Sequence, residues 1–340
     1  MIPGLWILVK VATALAFGLT VAGLLAWAER KQSAVLQDRI GANRAAILGV
    51  AALGLVNILA DAIKLVAKED FVGSRVNRFF HAAAPAVSMG FALLCLAALP
   101  FGGSVEFAGG TWSLQPIESP VGLLFVLAML SLGVHGVVMA GYASGSNYGL
   151  LGGLRGAAQM ISYEVCLATT LAGAAFLYGT LDLQRAVEWQ AAHLWGILAQ
   201  PLGFILFLTA GVALTKRVPF DLPEGESEIV GYHIEYSGMK FGMFMMTDFI
   251  ESIVIAGLIT TLFLGGWHVP FVSLWGLPGA AIMLAAFCAK VLLVLFLLMQ
   301  IRWTLPRFRF DQLLDLGWKA VLPLALLNFL LTVWGVCAWR

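Results

Sequence analysis

The sequence has 340 residues, of which 61% are hydrophobic and 11% are charged, and its mean hydropathy is +0.92. Soluble domains carry about a quarter charged residues, so this composition places the chain in a lipid bilayer. The net charge of +1 argues against a nucleic-acid partner, because such proteins carry a basic excess that neutralises phosphates.

Eight apolar segments are long enough to cross a membrane, which takes about 20 residues. The first has no small-residue cleavage pattern before Glu29, so we interpret it as a retained span rather than as a signal peptide. The sequence therefore predicts an all-α integral membrane protein with about eight transmembrane helices, forming a single membrane domain over residues 1–340. The predicted spans are Leu5–Ala28, Ala82–Phe101, Val121–Tyr142, Ile161–Tyr178, Trp195–Leu214, Phe241–Leu264, Gly276–Leu298 and Val321–Trp339.

The segment between the first two predicted spans is apolar but contains charged residues. Asp61, Lys64 and Lys68 fall at positions i, i+3 and i+7, on one helical face. We therefore predict an amphipathic helix at about residues 45–68 that lies at the membrane surface, with a ninth span as the alternative.

Most of the 20 lysines and arginines fall in connections on one side of the predicted membrane. Lys10, Arg185 and Arg340 lie towards the other side, and Lys290 lies within a span. By the positive-inside rule, the basic connections face the cytoplasm or the mitochondrial matrix, and both termini face outward.

Residues that bind redox cofactors are scarce in this sequence. Cys95, Cys166, Cys288 and Cys337 form no C-x-x-C pair, which argues against zinc and iron–sulfur sites. Only His135 lies well inside a span, which argues against a haem held by facing histidines. We expect no metal site and no redox cofactor bound by this chain.

Charged residues inside the predicted spans are candidates for function. Glu164 lies in span four, Asp248 and Glu251 lie one turn apart in span six, and Lys290 lies in span seven. Each costs roughly 2.5 to 3.5 kcal/mol at a helix centre, so such residues usually line a polar interior or a proton path. A structural ion pair is the alternative, and His135 fits either a proton path or a satisfied core position.

The connection at about residues 216–240 is rich in acidic residues, and Pro219 and Pro223 near its start stop the helix. Closely spaced carboxylates repel each other unless they take up protons or find cations, so this loop is a candidate proton-responsive element. A solvated acidic loop is the alternative. The loop carboxylates are Asp221, Glu224, Glu226, Glu228 and Glu235.

Six segments resemble, in the same order, the quinone-site subunit of respiratory complex I. They extend from the first predicted span to the last, which makes the similarity specific although each segment alone is weak. The segments are AERKQSAVLQDRIGANR (Ala28–Arg44), LADAIKLVAKED (Leu59–Asp70), GYASGSNYGLLGGLRGAAQMISYEV (Gly141–Val165), PFDLPEGESEIVGYHIEYSGMKF (Pro219–Phe241), FLGGW (Phe263–Trp267) and TLPRFRFDQLLDLGWK (Thr304–Lys319).

The resemblance implies a membrane subunit of a proton-translocating NADH:quinone oxidoreductase, with quinone as substrate. It also implies that FMN and iron–sulfur clusters are held by partner subunits, and that the partners are the other membrane and peripheral-arm subunits and the lipid bilayer. We expect a bacterial inner membrane, with the mitochondrial inner membrane as the alternative. The implied site residues are Glu29, Arg30, Arg39, Asp61, Lys64 and Arg302 at the quinone site, Asp221, Glu224, Glu226 and Glu228 in the coupling loop, and Glu164, Asp248, Glu251, His135 and Lys290 on a proton path.

The chain departs from the family pattern at several of these positions. Many members have glutamate where Leu214 and Asp248 stand, tyrosine where His135 stands and proline where Ala42 stands, whereas Glu251 is an additional carboxylate. Because the side chain of Leu214 cannot carry a proton, a proton path must bypass this position.

Two other functions remain open from the sequence. One is the membrane subunit of an energy-converting hydrogenase, which shares an acidic loop, and the other is a stand-alone secondary transporter with a midplane site. The FLGGW and TLPRFRFDQ segments favour the quinone enzyme. The choice between ubiquinone and menaquinone remains open.

Overall fold

The structure is a computed structural model that describes residues 3–47, 49, 52–74, 76–107, 110–225, 228–229, 231–270 and 276–339. Within these residues it is mainly helical, and seven of the helical segments are long and apolar enough to cross a membrane. The predicted all-α membrane fold is therefore confirmed. The helices are α1 (Pro3–Leu36), α2 (Val56–Ala67), α3 (Arg78–Ala98), α4 (Gly122–Ala143), α5 (Asn147–Tyr178), α6 (Leu183–Ala192), α7 (Gly196–Ala199), α8 (Pro201–Leu214), α9 (Gly238–Phe263), α10 (Gly276–Thr304), α11 (Phe310–Asp315) and α12 (Leu322–Trp339), and the π-helical segment Leu316–Val321 joins the last two.

The predicted span Trp195–Leu214 is broken into α7 and α8. Pro201 starts α8, because proline has no N–H to donate and fits only the first turn of a helix. The 14 residues of α8 rise about 21 Å, which is less than the roughly 30 Å of hydrocarbon. The described residues thus contain seven helical segments that are long and apolar enough to span a membrane, and a shorter eighth apolar helix.

The predicted amphipathic helix begins later than expected, at Val56 rather than near residue 45. Ala52, Leu53 and Gly54 have φ angles of 42°, 56° and 91°, which no α-helix accommodates. Within α2, Ile63 is 67% exposed, so its apolar face is not covered by the described residues.

A short β-hairpin that the sequence did not predict connects α3 to α4. Strands β1 (Ser104–Phe107) and β2 (Gly110–Ser113) are antiparallel, with Ser104 opposite Ser113. Four residues in each strand are too few for a period-two pattern to stand out in an apolar sequence.

The most deeply buried span is α9. In its most apolar stretch 78% of the residues are buried inside the protein, against 50% or less in the other six spans. It packs against α1, α2, α3, α6, α7, α8 and α10. The carboxylates that α9 carries, Asp248 and Glu251, therefore lie inside the protein rather than in lipid.

Candidate functional site

An open cavity of about 520 Å³ lies between the end of α1, the segment that leads to α2, and the end of α10. This volume falls in the range of small-molecule binding sites. Four of the predicted quinone-site residues line the cavity, and Asp61 forms an ion pair with one of them, Arg30, whereas Lys64 is exposed on α2. The lining residues are Glu29, Arg30, Ser33, Arg39, Gly41, Ala42, Asn43, Arg44, Asn57, Arg302 and Trp303.

Glu29 is the carboxylate that organises this cavity. Its Oε2 accepts a 2.6 Å hydrogen bond from Arg302, and both of its carboxylate oxygens lie 3.2 Å from Nη1 of Arg217. Charge-assisted hydrogen bonds of this kind are about twice as strong as neutral ones. The guanidinium of Arg217 also lies 4.4 Å from the ring centroid of Phe249, a cation–π distance. Glu29 thus joins α1 to α10 and to the start of the acidic loop.

A second, narrow cavity continues from Glu29, Arg217 and Arg302 into the protein. It has a volume of about 30 Å³ and is otherwise lined mainly by apolar residues of α1, α8, α9 and α10, such as Leu25 and Met299. By contrast, a cavity of about 600 Å³ between α5 and α12 contains none of the predicted site residues. The charged cavity around Glu29 is therefore the candidate binding site.

Three carboxylates of the acidic loop, Asp221, Glu224 and Glu228, face individual cationic or histidine partners, whereas Glu235 is exposed. Arg307 Nη2 lies 2.6 Å from Asp221, and Arg155 Nη2 lies 2.5 Å from Glu228. The Nδ1 atom of His233 lies 3.7 Å from Glu224. Glu226, which the sequence also predicts as a coupling residue, lies outside the described residues. The loop is thus built into a network of opposite charges rather than freely solvated.

Burial changes the proton affinity of two loop carboxylates. Burial raises the pKa of Asp221 above its ordinary value, although the charge of Arg307 opposes this shift. Burial, reinforced by the negative charge of Asp248, raises the pKa of Glu224 well above its ordinary value. Both carboxylates therefore hold a proton more tightly than an exposed carboxylate does.

Helix α5 holds the loop in place by close packing and hydrogen bonds. A Cβ atom on Gly156 would lie 3.2 Å from the Pro223 ring, so only glycine allows this approach without a shift. Gln159 donates 2.7 Å hydrogen bonds to the carbonyl oxygens of Ala213 and Phe220. These contacts fix the loop next to the end of α8.

A buried ion cluster lies where α8 ends. The Nζ atom of Lys216 lies 3.0 Å from Asp248 Oδ1 and 3.3 Å from Glu251 Oε2, and all three side chains are at most 7% exposed. Burial alone lowers the pKa of Lys216, but the charges of Asp248 and Glu251 outweigh it, so the pKa of Lys216 is raised well above its ordinary value. Lys216 therefore remains a cation.

Lys216 and Arg217 were not predicted as site residues, because in the sequence they count only as determinants of topology. The sequence did contain an indication: two cations directly follow one apolar span, and Asp248 and Glu251 lie inside the next one. Buried carboxylates need a cation nearby, and the adjacent loop supplied it.

Two further residues of the predicted proton path, Glu164 and His135, lie apart from this cluster. Glu164 on α5 accepts a hydrogen bond from Ser131 on α4. His135, one turn further along α4, is exposed. Of the predicted proton-path residues, the structure brings only Asp248 and Glu251 together.

Lys290 lies at the opposite end of α9 from the acidic loop. Its Nζ atom donates hydrogen bonds of 2.8, 2.9 and 2.8 Å to the carbonyl oxygens of Leu264, Gly266 and His268. A cation next to the last carbonyls of a helix compensates their partial negative charge. In this position Lys290 stabilises the turn that follows α9.

Within the described residues, no group of three or more His, Cys, Asp or Glu side chains is arranged to hold a metal ion.

Comparisons with known proteins agree on one family. The sequence model of the NADH dehydrogenase family matches residues 9–333. An NADH-quinone oxidoreductase subunit of Geobacter metallireducens is 44% identical over 96% of this chain and 95% of its own length. An NADH-quinone oxidoreductase subunit of Thermomicrobium roseum is 44% identical over 93% of this chain and 94% of its own length. One of Rhodothermus marinus is 40% identical over 94% of this chain and 93% of its own length. The protein therefore belongs to the NADH dehydrogenase family of membrane proteins.

Proposed function

We propose that this chain is the membrane subunit of a proton-translocating NADH:quinone oxidoreductase that lines the quinone site and couples quinone reduction to proton movement. The names of the relatives support this function over the membrane subunit of a hydrogenase or a stand-alone transporter. The charged cavity around Glu29 takes the quinone head group, and residues 216–240 form the coupling loop.

The positions of two consecutive residues, Lys216 and Arg217, support the coupling part of this proposal. Two consecutive residues, Arg217 and Lys216, face different sites: Arg217 pairs with Glu29 at the cavity, whereas Lys216 pairs with the carboxylates of α9. A change of charge in the cavity therefore acts on Arg217 and, through a single peptide unit, on the buried cluster.

The cavity has the charge that quinone reduction requires. As a quinone accepts electrons, negative charge develops on its oxygen atoms, and fixed cations stabilise that charge. Arg30, Arg39 and Arg302 supply the positive charge at the cavity. Glu29 holds Arg302 in place, so that the guanidinium is positioned before the quinone enters.

The remaining parts of the enzyme lie in other subunits under this proposal. This chain binds no redox cofactor of its own, and FMN and iron–sulfur clusters belong to the peripheral-arm partners. The exposed apolar face of α2 rests in the membrane interface next to the cavity mouth. The loops that carry most basic residues face the cytoplasm of a bacterial inner membrane, and both termini face outward.

Replacing Arg302 by alanine, or Glu29 by glutamine, tests the assignment of the cavity. A hydrogen bond to a charged group contributes about 1.5 to 3 kcal/mol, so the apparent KM for a short-chain quinone should rise roughly tenfold or more. The rate of NADH oxidation with an artificial acceptor at the peripheral arm should stay unchanged, which shows that the complex has assembled.

Arg309→Ala is the matched control. Arg309 also follows α10, but it is exposed and pairs with Asp311. Unchanged quinone kinetics in assembled Arg302→Ala and Glu29→Gln complexes would remove the cavity from the quinone site.

A further inference from the structure

The buried cluster of Lys216, Asp248 and Glu251 contains one cation and two carboxylates. The side chains are 0%, 3% and 7% exposed. With both carboxylates ionised the cluster carries a net charge of minus one inside the protein. Burying an uncompensated ion carries a large desolvation penalty, so this charge state is unfavourable.

A second cation, Arg217, lies near the cluster but forms no ion pair with it. Among the described residues, no ion pair joins Asp248 or Glu251 to a cation other than Lys216. Arg217 faces the cluster, but it is paired with Glu29. The remaining titratable groups that interact with the cluster are Asp221, Glu224 and Tyr232 from the loop and Cys95 from α3, none of which is cationic.

The contacts within the cluster are ion-pair contacts rather than well-directed hydrogen bonds. Nζ of Lys216, Oδ1 of Asp248 and Oε2 of Glu251 are all buried, and none has a hydrogen-bond partner of good geometry among the described residues. Buried polar atoms are nearly always hydrogen-bonded, and exceptions require an explanation. A proton on one of the two carboxylates would provide a donor and would neutralise the cluster.

We infer that Lys216, Asp248 and Glu251 form a buried site that holds one exchangeable proton, and that Lys216 is the positioning residue that limits the site to one. Two carboxylates that face the same ammonium group share a single proton, because the first proton removes their repulsion and leaves the cluster neutral. Without Lys216, the pair would need two protons to become neutral.

The inference deepens the proposed function and rests on it. Leu214 ends α8 and has no atom that carries a proton, whereas Lys216 brings the loop to Asp248 and Glu251 two residues later. One proton arrives from the loop, where Glu224 faces the cluster, and one proton leaves along α9 in each cycle. The raised pKa of Lys216 agrees with this arrangement, because Lys216 keeps its own proton while the carboxylates exchange theirs.

Glu251→Gln is the deciding variant, because it removes the exchangeable proton but leaves Lys216 and Asp248 as a neutral pair. The variant should therefore assemble. Infrared difference spectra of the purified complex should lose the absorption of one protonated carboxyl group. In reconstituted vesicles, NADH-driven proton pumping per quinone reduced should fall by about tenfold or more, since removing a positioned proton-transfer group usually costs at least that factor.

Matched variants separate a proton-holding site from a structural ion pair. Glu188→Gln removes an exposed carboxylate on α6 and should change neither readout. Lys216→Arg keeps the cation and should keep the infrared band. Lys319→Arg changes an exposed lysine that pairs with Asp315, and it controls for the effect of replacing a lysine by an arginine. Should Glu251→Gln fail to assemble, Asp248→Asn leaves Lys216 and Glu251 as a neutral pair and should show the same loss.

An unchanged infrared band together with full pumping in Glu251→Gln, or in Asp248→Asn, would overturn the inference. The proposed function would not fall with it if Arg302→Ala still raised the quinone KM. Conversely, Glu251→Gln could lose the infrared band while Arg302→Ala and Glu29→Gln keep unchanged quinone kinetics. That result would support the proton-holding site and reject the quinone cavity.

Discussion

At the scale of single residues, the site depends on two neighbours whose side chains point to different places. Lys216 has a φ angle of 53°, in the left-handed region that residues with a Cβ atom rarely adopt. Such a conformation costs on the order of 1 to 3 kcal/mol and persists only when the surroundings hold it. Here, Asp248 and Glu251 hold Lys216, and Glu29 holds Arg217.

The pH dependence of Glu224 follows from its surroundings. Burial and the charge of Asp248 raise the pKa of Glu224 well above its ordinary value, so Glu224 stays protonated to a higher pH than an exposed carboxyl. Quinone-linked proton pumping should decline as the pH rises through this raised pKa, because the loop then loses the proton that it supplies. In Glu224→Gln, overall pumping should be lower and this alkaline step should be absent.

The raised pKa of Glu224 also predicts how the stability of the protein changes with pH. The folded protein binds the proton of Glu224 at pH values where the unfolded chain has released it, so stability falls as the pH rises through the window between the ordinary and the raised pKa. Glu224→Gln should make the thermal unfolding temperature of the complex less dependent on pH there, whereas Glu188→Gln should not. An identical pH dependence in native and Glu224→Gln complexes would rule out this assignment.

At the scale of elements, the acidic loop is held between α5 and the segment after α10. The Phe220 ring stacks on Phe308 at 5.4 Å, and the N–H of Phe308 donates to the carbonyl of Pro219 at 3.1 Å. On the other side, Gly152 and Gly156 of α5 approach the loop backbone and the Pro223 ring. The loop therefore moves only together with its neighbours.

Gly156→Ala should disturb the loop without removing any charge. The added Cβ would lie 3.1 Å from Val137 and 3.2 Å from the Pro223 ring, and such overpacking typically costs about 1 to 3 kcal/mol. We expect a lower thermal unfolding temperature and a lower quinone reductase rate. Gly133→Ala in α4 is the control, since no atom lies within 4 Å of its added Cβ. Equal behaviour of the two variants would show that the close packing of α5 against the loop is unimportant.

The elements themselves were largely predictable from hydrophobicity and length. Each predicted span has a helical counterpart, because about 20 apolar residues in a bilayer must satisfy their backbone hydrogen bonds within the segment. The break at Pro201 and the late start of α2 depend on local backbone geometry. Hydrophobicity averaged over a window of about 20 residues does not show such local features. The hairpin of β1 and β2 is too short to carry a periodic signal.

At the scale of the whole molecule, the charged features gather at one end of the helices. The cavity and the acidic loop lie towards the start of α9, and the buried cluster lies about halfway along it. The segment that follows α2 is tied to the start of α9, because Lys240 pairs with Asp70 at 2.7 Å. The side chain of Ser237 also donates to the carbonyl of Glu69 at 2.9 Å. Lys290 marks the other end of α9. Under the proposed function, a charge change at the cavity therefore acts on the loop and on the cluster together.

The site could be predicted from the sequence only in part. The carboxylates Asp248 and Glu251 stand out because charge is costly in a span, and the resemblance to a known family points to Glu29 and Arg302. The partner of each charge depends on how helices face one another, and no single-sequence pattern encodes this. For the same reason Lys216 was overlooked, although it lies only 32 positions before Asp248.

Labelling the purified complex with a photoreactive short-chain quinone locates the quinone in the molecule. This chain should be labelled in the peptides that line the charged cavity, namely residues 29–44 and 302–303, and an excess of unmodified quinone should suppress the label. Glu29→Gln should weaken labelling at low probe concentration. If the label were confined to the cavity between α5 and α12, or absent from this chain, the charged cavity would not be the quinone site.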